Sequence, residues 1–160
     1  MNAFKAGHEE ADKGNTVHKQ LWRAPELLRD SNSPARGTQK GDVYSFGIIL
    51  YEVFERNGPW GGIRLSDAGA FIIFNKMKNN LNFDPEIIAR VVSGDAGDIF
   101  YELNNDPPPN TPRLLRPPTG DLKVADYVVK TMKSCWEEDP DLRPDIRFVR
   151  VKLKEMQTGL

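Results

Sequence analysis

Apolar residues recur along this chain at helical rather than strand spacing. In the run KGDVYSFGIILYEVFER, residues 40–56, Val43, Phe46, Leu50, Val53 and Phe54 fall at i, i+3, i+7, i+10 and i+11. That is one face of a 3.6-residue period, and these five residues are expected to point inward. Asp42 stands just ahead of the first of them, where a carboxylate caps the free amides of a helix start. Gly47 is unfavourable inside a helix by about 1 kcal/mol relative to Ala. Its position implies close approach of another backbone. Asn57-Gly58-Pro59 ends the segment.

Four further stretches carry pattern. Ser66 or Asp67 can cap a helix that turns Phe71, Ile72, Phe74 and Met77 inward. Asp84-Pro85-Glu86 is a second helix start, with Pro at the first helical position. Residues 121–139 put Val124, Val128, Met132, Cys135 and Trp136 on one side of a helix. After the break at DPDLRP, Asp145 caps a last helix with Ile146, Val149, Leu153 and Met156 at i, i+3, i+7 and i+10. Residues 1–20 have no hydrophobic period and read as a loop or disordered arm. Between residues 93 and 120 the pattern collapses. Six of the chain's 12 prolines lie from Pro107 to Pro118, which makes this stretch extended loop. Strand-like alternation is absent, so the fold class is mainly α, a helical bundle with long loops.

Composition narrows the setting. The 160 residues fit one domain, and 39% hydrophobic residues are enough for a core. A net charge of −1 offers nothing to a nucleic acid. The N-terminus lacks the apolar core of a signal peptide, and no stretch reaches a membrane span. No direct membrane contact is expected. The single cysteine, Cys135, excludes an internal disulfide and fits a reducing compartment.

Three motifs then stand in order: LWRAPELLR from Leu21, GTQKGDVYSFGIILYEVFER from Gly37, and CWEEDPDLRPDIRFVRVKLKEMQTGL from Cys135. Together they resemble the C-terminal lobe of protein kinases. The finer likeness is to the kinase-homology domain of receptor-type guanylate cyclases, in a nematode-like form. It covers residues 18–92 and 121–160, with the proline-rich stretch between them, 93–120, read as an insertion. Residues 1–20 would then be a remnant of the activation segment, and 21–160 a partial lobe. Single motifs of this size are weak; three in the right order are strong.

The resemblance implies a buried ion pair between Glu26 and Arg143, tying the end of the activation segment to the turn before the last helix. For Asp42 it implies contact with a catalytic loop, which leaves the cap as the role these residues can supply. It also implies ATP as a regulatory ligand of the complete domain. The implied partners are the N-terminal lobe and the cyclase domain of a homodimeric parent. That parent would be a single-pass plasma-membrane receptor with this region on the cytoplasmic side. The alternative is a lobe of an active tyrosine-kinase-like kinase.

Phosphoryl transfer needs a phosphate cradle, a phosphate-binding lysine, a catalytic base and metal ligands. None of the corresponding motifs occurs in these residues: no G-x-G-x-x-G, no H-R-D loop and no D-F-G. His8 and His18 are the only histidines. No catalytic, cofactor-binding or metal residue is therefore assigned. Trp22 and Trp136 are expected as core anchors, Trp60 as cover for a loop, and Cys135 as a buried small hydrophobe. Thr16 reads as an ordinary loop threonine. The basic residues Arg147, Arg150, Lys152 and Lys154 read as a solvated helix face, the alternative being a coiled coil that continues the last helix.

Overall fold

The computed structural model describes residues 16–60, 84–97 and 107–159. The helix expected within residues 65–79, and residues 1–15 of the arm, lie outside them. No strand occurs among the described residues.

Residues 16–19 are helical and run into a 3-10 turn at Gln20–Trp22, where a loop was expected as far as residue 20. Helix α1, Pro25–Arg29, follows with proline in its first turn. The central helix α2 spans Gln39–Glu55, about 25 Å at 1.5 Å per residue. Helix α3 is Asp84–Ser93, α4 is Asp126–Cys135 and α5 is Ile146–Thr158. A second 3-10 turn, Pro140–Leu142, precedes Arg143. Helix α2 packs chiefly on α4, with α1 set against α3, and α5 touches both α2 and α4. No described helix is long and apolar enough to cross a membrane.

The start of α2 corrects one expectation. Its N-cap is Thr38, whose Oγ1 accepts from the Gly41 amide at 3.0 Å. The helix thus begins earlier than Asp42, which lies exposed in the first turn. There a carboxylate favours the helix dipole but caps nothing. The buried face of α2 is also broader than the pattern implied. Val43 and Leu50 are buried as expected, but so are Tyr44, Ile48 and Tyr51, while Val53 and Phe54 are 60% and 39% exposed. Almost every residue from Tyr44 to Phe54 is apolar, so periodicity alone selects no single stripe. Neighbours on more than one side make the choice.

Gly47 meets its expectation. A Cβ built on it would stand 2.9 Å from Cys135 Cβ and 3.3 Å from the Met132 carbonyl. Its lack of a side chain lets α2 and α4 approach closely. Helix α4 starts at Asp126, later than the pattern suggested, with Val128, Met132 and Cys135 buried. Asp145 caps α5 as expected, its carboxylate accepting from the Arg147 amide at 2.7 Å. Of the four residues expected inward on α5, Val149 is buried and Met156 packs against the core, but Ile146 and Leu153 are 39% and 42% exposed.

Residues 107–120 carry no helix. Their latter part is nonetheless core: Leu115 is 1% exposed, and Pro117 is buried. The Arg113 carbonyl accepts from the Ala96 amide at 2.7 Å, joining this stretch to the end of α3.

Candidate functional site

The polar centre of the molecule is Arg143, a fully buried arginine at 1% exposure. Its guanidinium holds Glu26 in the two-point geometry: Nη1 donates to Oε1 at 2.7 Å and Nη2 to Oε2 at 2.8 Å. The remaining donors reach carbonyls, Nε to Glu137 at 2.8 Å, Nη1 to Lys40 at 3.0 Å and Nη2 to Glu138 at 3.3 Å. Five N–H groups therefore find five acceptors, the full capacity of an arginine. Lys40 Nζ in turn donates to the Arg143 carbonyl. Local structure explains the placement. Pro25 starts α1 so that Glu26 faces the protein, and the Pro140–Leu142 turn delivers Arg143 from the other side.

A second ionic group lies alongside. Glu138 receives Arg29 at 2.5 Å and Arg116 at 2.7 Å. Arg29 also donates to the carbonyls of Val91 and Val92, fastening α1 to the end of α3. Arg116 donates to the Trp136 carbonyl at 2.8 Å. Burial alone would raise the Glu138 carboxyl, but its hydrogen bonds from Arg116 and Arg29 outweigh that and hold it below the ordinary glutamate value. The guanidinium groups of Arg116 and Arg143 both lie over the Tyr44 ring, at 5.4 and 5.2 Å. Burial raises the Tyr44 phenol, partly offset by these two cations. Sequence reasoning missed Arg29, Arg116 and Glu138. Arg29 and Glu138 stand inside the quoted motifs, but nothing in their spacing says that they meet.

Trp22 is half-buried rather than enclosed. Its Nε1 donates to Glu52 at 3.0 Å, and its carbonyl accepts from Ser45 at 2.7 Å, pinning the start of the first motif to α2. His18 sits edge-on to its ring at 5.2 Å. Trp136 is a core residue, edge-on to Tyr51 at 6.3 Å. Trp60 is buried too, with Nε1 donating to the Leu21 carbonyl at 3.0 Å. Cys135 is buried, and burial pushes its thiol up to about 11. Asp42 stands apart from the Arg143 cluster, on the open rim formed with Arg23, Arg36 and Ser33. Among the described residues no group of three or more His, Cys, Asp or Glu is placed to hold a metal. The arrangement is a lock: its charged groups satisfy one another.

Such a lock, joining an A-P-E helix to an R-P turn beneath a buried central helix, is where comparison with known proteins becomes decisive. The family described as protein tyrosine and serine/threonine kinase matches residues 2–92. The chain belongs to the protein-kinase-like family. Over its whole length it is similar to guanylate cyclase 32E of Drosophila melanogaster, with 42% identity over 161 aligned residues, covering 100% of this chain and 11% of that protein. The receptor-type guanylate cyclase gcy-28 of Caenorhabditis elegans is 34% identical over 92% of the chain and 10% of its own length. Atrial natriuretic peptide receptor 2 of Homo sapiens is 31% identical over 100% of the chain and 13% of its own length. The kinase-like lobe is thus homologous to the kinase-homology region of receptor guanylate cyclases, and the likeness extends well beyond nematode forms. It spans about a tenth of the length of these relatives.

Proposed function

We propose that these residues form the scaffold part of a non-catalytic, regulatory kinase-homology domain in a receptor guanylate cyclase. The parent is a homodimeric single-pass receptor with this region in the cytoplasm, relaying signals to cGMP synthesis, with ATP as a regulatory ligand of the complete domain. One observation carries the reading: the match to receptor cyclases runs through the whole chain, whereas the kinase-family match ends at residue 92. The α4–α5 region, with Arg143, lies inside the match to receptor cyclases. A relay needs a body that moves as a unit, and the Arg143 and Glu138 clusters supply the cross-links for one.

A chimaera tests it. These 160 residues replace the matching stretch of human atrial natriuretic peptide receptor 2, and cGMP is measured in membranes with and without natriuretic peptide. The expected result is retained stimulation by the peptide, lost when Glu26→Ala is added while the cyclase keeps its unstimulated activity. Cell-surface chimaera that makes cGMP without any response to the peptide counts against the relay. The family description itself favours one second reading, an active kinase. Under that reading, the protein carrying this chain transfers phosphate from labelled ATP to a tyrosine- or serine-containing peptide. Transfer abolished by substituting that protein's own catalytic base would replace the proposal.

A further inference from the structure

Three asparagines lie among the described residues, Asn32, Asn57 and Asn110, and all are exposed. They differ in the amide that follows. The Ser33 amide after Asn32 donates to the Asp30 carbonyl at 3.0 Å, and the Thr111 amide after Asn110 donates to the Pro108 carbonyl at 3.2 Å. The Gly58 amide after Asn57 makes no hydrogen bond among the described residues. A hydrogen bond fixes both the proton and the direction of an amide nitrogen. Without one, the Gly58 nitrogen can turn toward the side chain before it.

Glycine at this position removes the steric bar to that approach. A Cβ built on Gly58 would meet nothing within 4 Å. Its φ of +85° lies in a region that glycine enters at little cost. The Asn57 carboxamide is held only by a long bond, Nδ2 donating to Glu55 Oε1 at 3.4 Å. Asn57 also lies past the helix, since Arg56 closes α2 in the left-handed conformation, its amide on the Glu52 carbonyl at 2.9 Å.

An amide nitrogen so placed attacks the side chain. A solvent base takes the Gly58 amide proton, and the nitrogen bonds to Asn57 Cγ. The Cγ–Nδ2 bond breaks, and Nδ2 leaves as ammonia with a proton from water. Water then opens the succinimide. Addition at Cγ gives aspartate. Addition at the Asn57 main-chain carbonyl carbon gives isoaspartate, whose main chain runs through Cβ and Cγ. Water is the only co-reactant.

Asn57 sits between two anchors. The Arg56 cap precedes it, and the buried Pro59 and Trp60 follow, with Trp60 Nε1 donating to the Leu21 carbonyl at 3.0 Å. Isoaspartate inserts an extra main-chain carbon between these anchors. It also adds a carboxylate beside Glu55, at the negative end of the helix dipole.

We propose that Asn57 is a spontaneous modification site that converts through a succinimide with Gly58 to isoaspartate, loosening the Trp60 tie between α2 and the start of the first motif.

The test incubates the folded 160-residue chain in mildly alkaline buffer beside a sample in urea. Peptide mass spectrometry follows the replacement of NH2 by OH at Asn32, Asn57 and Asn110. Methylation of the tryptic peptide 57–64 by protein isoaspartate O-methyltransferase, with S-adenosylmethionine, reports isoaspartate. Asn57 is expected to react in the folded chain within about two-fold of its rate in urea, whereas Asn32 and Asn110 should be slowed about ten-fold by folding. Asn57→Gln, a change at an exposed side chain, should lose the methylation and keep the parent's circular dichroism. Asn57→Asp carries the added charge without the extra carbon. The isoaspartate fraction, separated by chromatography, should melt below both the parent and Asn57→Asp. Protection of Asn57 by folding, conversion to aspartate without isoaspartate, or reaction at Asn32 ahead of Asn57 overturns the modification site. An isoaspartate fraction that melts with Asn57→Asp overturns the loosening of the tie.

Discussion

Arg143 is held by one carboxylate and three carbonyls, and only the carboxylate balances its charge. Glu26→Ala therefore leaves a buried guanidinium without a counter-charge. Breaking such a pair costs about 3–5 kcal/mol; because Glu26 is 27% exposed, the lower end applies. Urea unfolding of the chain should show the midpoint fall accordingly, and an unchanged midpoint would refute the lock. Arg143→Lys should not rescue it, since an ammonium cannot reproduce the two-point fork or reach the same five acceptors. Cys135 makes the opposite case, a reactive group disarmed by packing. With its thiol raised to about 11, alkylation by iodoacetamide near neutral pH should be negligible in the native chain and fast in denaturant. Labelling of the folded form would place Cys135 at the surface. The two residues also differ in how far sequence reveals them. Cys135 was legible as a buried hydrophobe from its helical period. The Glu26–Arg143 pair is invisible to any period and was reached only through motifs that resemble a known lobe.

At the level of elements, α2 shows why existence is easier to read than orientation. Its length and type followed from a long apolar run. Its cap did not, because Thr38 and Asp42 both stand where a cap is plausible, and only the backbone path selects Thr38. Val53 and Phe54 were expected inward on period alone, but they are exposed near the helix's C-terminal end. What sequence did expose was the glycine. Gly47→Ala should gain about 1 kcal/mol in helix propensity yet place a methyl at 2.9 Å from Cys135 Cβ. Overpacking of a tight contact costs about 1–3 kcal/mol, and the neighbouring Met132 carbonyl cannot rotate away. The net expectation is a lower melting temperature. The double variant Gly47→Ala/Cys135→Ala leaves the same Cβ contact, so it should recover little. Full recovery would mean that the sulfur, and not helix–helix distance, sets the fit.

Across the whole molecule, Glu138 joins parts that are far apart in sequence. Arg29 connects it to α1 and the end of α3, Arg116 to the proline-rich stretch, and its own carbonyl to Arg143. Four segments are thus linked through one residue, two of the links made by its carboxylate. Because the folded state holds this group below its ordinary value of 4.5, its contribution to stability is present above that pH and is lost as pH falls through the lowered value. The chain should therefore hold its melting temperature from neutrality down to about pH 5 and lose it progressively below. Glu138→Gln keeps the shape but cannot titrate. It should lower the melting temperature at neutral pH and flatten the acid limb, so that the two proteins converge at low pH. Parallel acid limbs would assign the transition to other carboxylates. Because Arg29 also caps α3, the variant should further speed hydrogen exchange in the last turn of α3 while leaving α4, buried against α2, protected. Exchange that rises equally in both helices would mean that Glu138 supports the lobe in general and does not link these segments in particular.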